Sequence, residues 1–234
     1  AGIISILSIL LCWWWRSGNA PWGTVGIGLA VWLIFGVITE VAQKIKLFRS
    51  SPAEAIRRFF NISLSSWGMI LGHLGLALAI VGITGAGAWK SESIQVLAPG
   101  ESATVSGYKF IFQGAIEGVG PNYRYTQGRF IVTRNKEVIS ILNPEKRYYP
   151  VRSMPTTEAA IHTMVSGDLY AVIGDRKDDD AYVTRLYFNP LVVWIWTGIL
   201  IMVLGAVLSL TDRRYRIGAP VKRRKQKSIA LAKA

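Results

Sequence analysis

Cysteine is almost missing from these 234 residues, with Cys12 the one example. A single thiol excludes a disulfide within the chain, and with no CxxC pair the chain does not itself perform dithiol exchange. Histidine is nearly as scarce, at His73 and His162. Acid is also in short supply: 14 Asp and Glu stand against 27 Lys and Arg, for a formal net charge of +13. Such an excess invites a nucleic-acid reading, but its placement argues against one. Residues 90–186 are nearly balanced in charge, and the surplus sits in Lys44–Arg58 and Arg213–Lys233. Each basic stretch abuts an apolar run, which is the positive-inside pattern of a membrane protein. The tail "RRYRIGAPVKRRKQKSIALAKA" reads as a solvated anchor beside anionic lipid. No nucleic-acid partner is expected.

What the chain does have is long stretches free of charge. They run over Gly23–Thr39, Ser63–Ala88 and Pro190–Leu210. Each is near or above the roughly 18–20 residues needed to cross a bilayer core. A fourth run, Ala1–Trp15, is too short to span and has no starting Met. It fits a processed or trimmed terminus, or a chain that begins inside a transmembrane helix of something longer. It is not read as a signal peptide, because no basic segment precedes it and no small-residue cleavage site follows. The expected organisation is two transmembrane helices over 1–43, the first truncated, then a cytoplasmic loop with a short interfacial helix over 44–65. A helix carrying His73 follows over 66–89, an external β-domain over 90–187, a last span over 188–210 and a basic cytoplasmic tail over 211–234. The fold class is an integral membrane α-helical bundle of about four spans with an inserted all-β domain, a small barrel or sandwich.

Local signals support these divisions. Ser51-Pro52-Ala53-Glu54 is a capping box with proline at the first helical position. The helix it opens sets Ile56, Phe59 and Phe60 against Arg57 and Arg58, as an interfacial helix or as a plain extension of the next span. In the β-domain, "ESIQVLA", "YKFIFQG", "RFIVTR", "EVISIL", "DLYAVIG" and "YVTRLYF" alternate apolar and polar residues between turn-forming stretches. The segment "GDRKDDDA" separates the last two and is expected to be a hairpin loop.

His73 lies within "SSWGMILGHLGLALAIVGITG". A polar side chain in hydrocarbon needs a partner, so it is a functional candidate. It can hydrogen-bond another helix, relay protons or ligate a metal such as haem iron. Gly68, Gly72, Gly75 and Ala79 lie on adjoining faces and would let a helix or a flat ring approach. Met69, Ala77 and Ile80 share the His73 face, with Leu76 slightly off axis. No carboxylate lies one turn away on that helix to drive a proton relay. His162, in "AAIHTMVSGD", reads as an ordinary surface or turn residue.

Several stretches in order, "GHLGLALAIVGI", "GPNYRYTQGRFIVTRN", "NPEKRYYPVRSMPTTEAAI", "DLYAVIGD" and "FNPLVVWIWTGILIMVLGAVLSLTDRR", resemble the C-terminal part of the CcmF family. That family is the haem lyase component of cytochrome c maturation, and the resemblance covers roughly Gly68 to Arg216. It implies a b-type haem held in the inner membrane between two histidines from different spans, one of which matches His73. The second axial ligand would come from another segment or chain. The resemblance further implies haem received from the periplasmic chaperone CcmE and attached to the CxxCH thiols of apocytochrome c. The β-domain would then be periplasmic.

The departures are also informative. The family's Trp-rich "WWD" segment and its further histidines are not present. "CWWWRSGNAPWG" lacks the Asp and the spacing, and its tryptophans read as an interfacial belt. The expected function is therefore the C-terminal part of a haem lyase, not active alone, working with the remainder of the lyase as the same or a separate chain. Glu145, Lys146, Arg147, Arg152 and Glu158 could hold haem propionates or a partner loop, with Arg147 and Arg152 the foremost, or could be ordinary solvated charges. The alternative function is a non-catalytic docking subunit of the same machinery, with His73 making only an interhelical hydrogen bond.

Overall fold

A computed structural model describes residues 21–212 except 152, 178 and 179, together with Ile3, Ile6, Leu7, Ile9, Leu10 and Trp13 of the first apolar run. Those six are helical. Cys12, Arg152, the rest of the proposed first span and the basic tail from residue 213 lie outside the described residues.

Among the described residues, three helices are long and apolar enough to cross a membrane: α1 (Pro21–Ile45), α3 (Leu64–Ala88) and α4 (Val192–Thr211). Between the first two lies the short α2 (Pro52–Phe60). Its start follows the expected cap: the Glu54 amide donates to Ser51 Oγ at 3.4 Å, with Pro52 opening the helix. The Glu54 carboxylate does not return to Ser51. It takes a 2.6 Å bond from Arg58 one turn on, where a full guanidinium charge outcompetes a backbone amide.

The α3 helix is the centre of the membrane part. On one side it runs antiparallel to α1, with Gly23 against Ala88 at the end next to the strands and Lys44 donating to Ser66 Oγ at 3.1 Å at the other. On the other side it packs against α4 through glycines. A Cβ at Gly68 would lie 2.6 Å from the Gly205 carbonyl oxygen, and one at Gly75 would lie 2.5 Å from that of Gly198. A Cβ at Gly82 would come 2.6 Å from the Ile195 nitrogen. Small residues at this spacing bring two backbones into contact where lipid offers no hydrophobic drive to do so. Asp212 closes the same pair, its Oδ2 accepting from the Ser65 amide at 3.1 Å in the first turn of α3. A carboxylate there also meets the positive end of the helix dipole.

The chain between α3 and α4 forms ten strands in two antiparallel sheets. The strands are β1 (Ser91–Leu97), β2 (Ser102–Val105), β3 (Tyr108–Val119), β4 (Arg124–Arg134), β5 (Glu137–Leu142), β6 (Glu145–Tyr149), β7 (Met154–Glu158), β8 (Ala160–Met164), β9 (Gly167–Arg176) and β10 (Tyr182–Pro190). One sheet has the order β1-β10-β9-β8, the other β2-β3-β4-β6-β7, with β5 beside β6 along one edge of β4. The β9–β10 pair is the expected hairpin. Alternation drives the packing: in β9, Leu169, Ala171 and Ile173 point inward and are fully buried. They meet Phe110, Phe112, Phe130 and Val132 from the facing sheet in a single core. The Phe112 ring lies 5.0 Å from Phe130 and 6.0 Å from Tyr182.

The sandwich sits directly on the helices. Ser91 of β1 pairs with Phe188 of β10, so the two chain crossings into the membrane lie side by side. Leu191 turns the chain from β10 into α4 at φ 61°, and its amide donates to Ser166 O at 3.1 Å. Trp194 Nε1 donates to Val165 O at 3.0 Å. Gly167 in that turn has φ +148° and would set a Cβ 2.5 Å from Asn189 O, so no other residue fits there without strain.

Candidate functional site

His73 lies nine residues into α3, roughly 13 Å along the helix axis from its start. Its side chain is not packed under α4, because the glycines that face α4 lie on another side of the helix. The small residues near His73 therefore divide in role. Gly68 and Gly75 are filled by α4, whereas a Cβ at Gly72 would meet nothing within 4 Å. The expected His73 face divides as well: Met69 and Leu76 are exposed with it, whereas Ala77 is fully buried.

The ring itself is oriented. Nδ1 lies 2.9 Å from the Met69 carbonyl oxygen. A carbonyl can only accept, so Nδ1 carries the proton and donates it. In the neutral ring this leaves the Nε2 lone pair available. A metal-binding histidine typically has this arrangement, with its second nitrogen fixed by a carbonyl or carboxylate.

Opposite the ring, α1 supplies the remaining walls of a groove of about 310 Å³: Trp32, Leu33, Gly36, Val37 and Glu40 line it with His73. The wall is apolar apart from Glu40. A Cβ at Gly36 would also meet nothing within 4 Å. A planar, largely apolar ring entering from the open side would thus find bare backbone at Gly36 and a coordinating nitrogen at His73. These residues fit haem.

Glu40 was not among the residues singled out from sequence. Helical spacing on α3 points to no carboxylate near His73, because Glu40 comes from α1. Helix α1 continues past the charge-free run ending at Thr39, so Glu40 and Lys44 fall within its last turns. The signal that could have found it is the acid itself: Glu40 is the one acidic residue in the described parts of the three membrane helices.

The charged residues of β6 and β7 are held within the sandwich. Arg147 Nε donates to Glu145 Oε2 at 2.8 Å, its Nη1 lies 3.7 Å from Glu158, and its guanidinium stacks on Tyr123 at 4.6 Å. The Glu145 bond, and after it Tyr149, push the Arg147 pKa further above its already high ordinary value. Lys146 pairs with Asp175 across the two sheets. These residues border an open cleft of about 660 Å³ between β3, β4, β6 and β9, lined among others by Arg124, Tyr125, Tyr148 and Arg176. His162 is half-buried in the edge strand β8 opposite Leu169, a strand position rather than a turn.

The family model described as the CcmF C-terminal beta-sandwich matches residues 88–190, which are the ten strands. The chain is 37% identical over 220 residues to the cytochrome c-type biogenesis protein CycK of Bradyrhizobium diazoefficiens, covering 94% of this chain and 33% of that protein. It is 36% identical over 211 residues to the cytochrome c-type biogenesis protein CcmF of Escherichia coli, covering 90% of this chain and 31% of the relative. It is 38% identical over 216 residues to CcmF of Pseudomonas aeruginosa, covering 92% and 32%. A solved structure of the cytochrome c haem lyase CcmF shares the fold at a TM-score of 0.66 and 20% identity, covering 90% of this chain and 34% of that one. The chain thus spans about a third of the length of the relatives it matches. Matched along nine-tenths of its length and in its sandwich by name, this membrane protein belongs to the CcmF family of cytochrome c-type biogenesis proteins.

Proposed function

We propose that the chain forms the C-terminal part of a cytochrome c haem lyase in which His73 is one axial ligand of a membrane-embedded b haem. The observation that carries this reading is the hydrogen bond from His73 Nδ1 to Met69 O, which turns the Nε2 lone pair into a coordinating position beside an open apolar groove. When bound, the haem supplies one-electron redox chemistry. The chain's own residues do the rest. Met69 O fixes the tautomer, Gly36 leaves room for a ring edge, and Trp32, Leu33 and Val37 exclude water from it. The second axial ligand comes from the remainder of the lyase.

The basic residues between Lys44 and Arg58 set that loop on the cytoplasmic side of the inner membrane, which makes both ends cytoplasmic and the sandwich periplasmic. There the sandwich docks CcmE or apocytochrome c. Attachment joins a CxxCH thiol to a haem vinyl carbon, and the thiol proton passes to the neighbouring vinyl carbon. The nucleophile belongs to the substrate, so the sandwich contributes positioning. Arg147 contributes indirectly: tied to Glu145, Glu158 and Tyr123, it holds the β6–β7 edge that borders the cleft. Arg152, which lies outside the described residues, is the guanidinium we assign to haem propionates or a partner loop.

The test is an absorption spectrum of the full membrane complex, wild type beside His73→Ala in matched amounts. A reduced b-type band that weakens or shifts in the variant is the expected result. An unchanged band would remove His73 as a ligand and favour a docking subunit that carries no haem of its own.

A further inference from the structure

Glu40 makes a helix-supporting ion pair one turn along α1 and also lines the groove that holds His73. Its partner is Lys44, one turn on, with Nζ 3.4 Å from Oε1. The two ends of this pair face different spaces. Lys44 lines a cavity of about 310 Å³ at the basic loop, with Arg58, Asn61, Ser63 and Ser66. Its ammonium donates to Ser66 Oγ, to which Ser63 Oγ is also bonded at 2.9 Å. Glu40 faces the other way, into the groove lined by His73. Its Oε1 is shielded from solvent and takes no hydrogen bond from the described residues. That oxygen is the one that faces the Lys44 ammonium, so the carboxylate is paired there. What marks Glu40 as a functional position is that it lines, with His73, an otherwise apolar groove between membrane helices.

We infer that Glu40 tunes the redox state of the group ligated by His73, its charge in the groove favouring the oxidised iron and lowering the reduction potential. This rests on the haem reading of His73. The physical reason is Coulombic. Oxidised haem carries one more positive charge than reduced haem, and a carboxylate in a low-dielectric groove stabilises it more. Lys44 opposes this effect from the far side of Glu40. It is more distant from the groove and solvated through the loop-side cavity, so the carboxylate dominates.

The experiment is an equilibrium redox titration of the full haem lyase in detergent, at matched haem content. It compares wild type, Glu40→Gln, Glu40→Asp and Lys44→Gln. Glu40→Gln should keep the reduced b-type band and titrate at a higher midpoint. Glu40→Asp keeps the charge and should return close to wild type. Lys44→Gln removes the opposing charge and should titrate lower, which keeps the test open should Glu40→Gln fail to assemble. A Glu40→Gln midpoint equal to wild type, or a Lys44→Gln midpoint equal or higher, overturns the inference while leaving His73 as ligand. Loss of the band in Glu40→Gln alone overturns it too, since Glu40 would then hold the group rather than tune it. Failure of the haem reading is a separate result: a band unchanged in His73→Ala.

Discussion

Asp168 shows how one residue can make a domain sensitive to pH. It lies in β9 beside Asn189 and opposite Thr163 of β8, with Oδ1 shielded and unpaired among the described residues. Burial pushes its carboxyl above the ordinary aspartate range, and a hydrogen bond with Thr163 and the nearby His162 only partly offset that. Because the folded pKa is raised, the native state binds the proton more tightly than the unfolded chain does. Stability from this group is present below the unfolded pKa of about 3.9 and is lost as pH rises through the folded value. Asp168→Asn cannot ionise and escapes that loss. The variant should unfold at a higher denaturant midpoint than wild type at pH 7, and the gap should close on acidification to about pH 4. A gap of the same size at both pH values would mean that ionisation of Asp168 is not its source.

At the scale of the element, α3 divides its circumference between two tasks. Gly68, Gly75 and Gly82 meet α4, and the face with Met69, His73 and Leu76 is left open. Gly75→Leu should force the helices apart, because even a Cβ there would strike the Gly198 carbonyl and Met202. Overpacking of this kind costs about 1–3 kcal/mol, read as a lower thermal midpoint in detergent. Gly72→Leu, where a Cβ would meet nothing within 4 Å, should leave that midpoint unchanged. Equal destabilisation by both would refute the division. The sequence row of small residues contained this information but could not separate it. Gly68 and Gly72 are one turn apart and both flank Gly205, but only at Gly68 would a side chain point into α4. The strands were legible to the extent that their alternation was clean. "DLYAVIG" and "YVTRLYF" announce β9 and β10, whereas "EKRYY" and "MPTTE" form β6 and β7 without an apolar face. Those strands are held by charge pairs and by the pairing of β6 to β4 and of β7 to β6, which no local pattern records.

The whole molecule is a sandwich inserted into a helical pair, and the insertion point makes the two parts separable. Its core of fourteen buried residues, from Leu97 to Leu186, includes no helix residue. Its two ends leave from paired strands, Ser91 beside Phe188, so cutting there parts no distant termini. The docking includes the β8–β9 turn, with Gly167 against Asn189 and Pro190, the Leu191 amide on Ser166, and Trp194 on Val165, and α3 also meets β10. A fragment of residues 90–189 should therefore fold in water with a β-type circular dichroism spectrum and a cooperative denaturant transition. Phe112→Ala, which empties the contact with Phe130 and Tyr182, should lower its stability by about 3–5 kcal/mol. Gly167→Ala separates the two parts further. Part of its clash is with Asn189 and Pro190 at the membrane junction. It should therefore disturb the complete protein more than the fragment, where the end of β10 is free to move. A fragment that stays unfolded, or that loses as much to Gly167→Ala as the whole protein does, would mean that the sandwich needs its helices to fold. The domain would then be a cap on the membrane bundle rather than a body of its own.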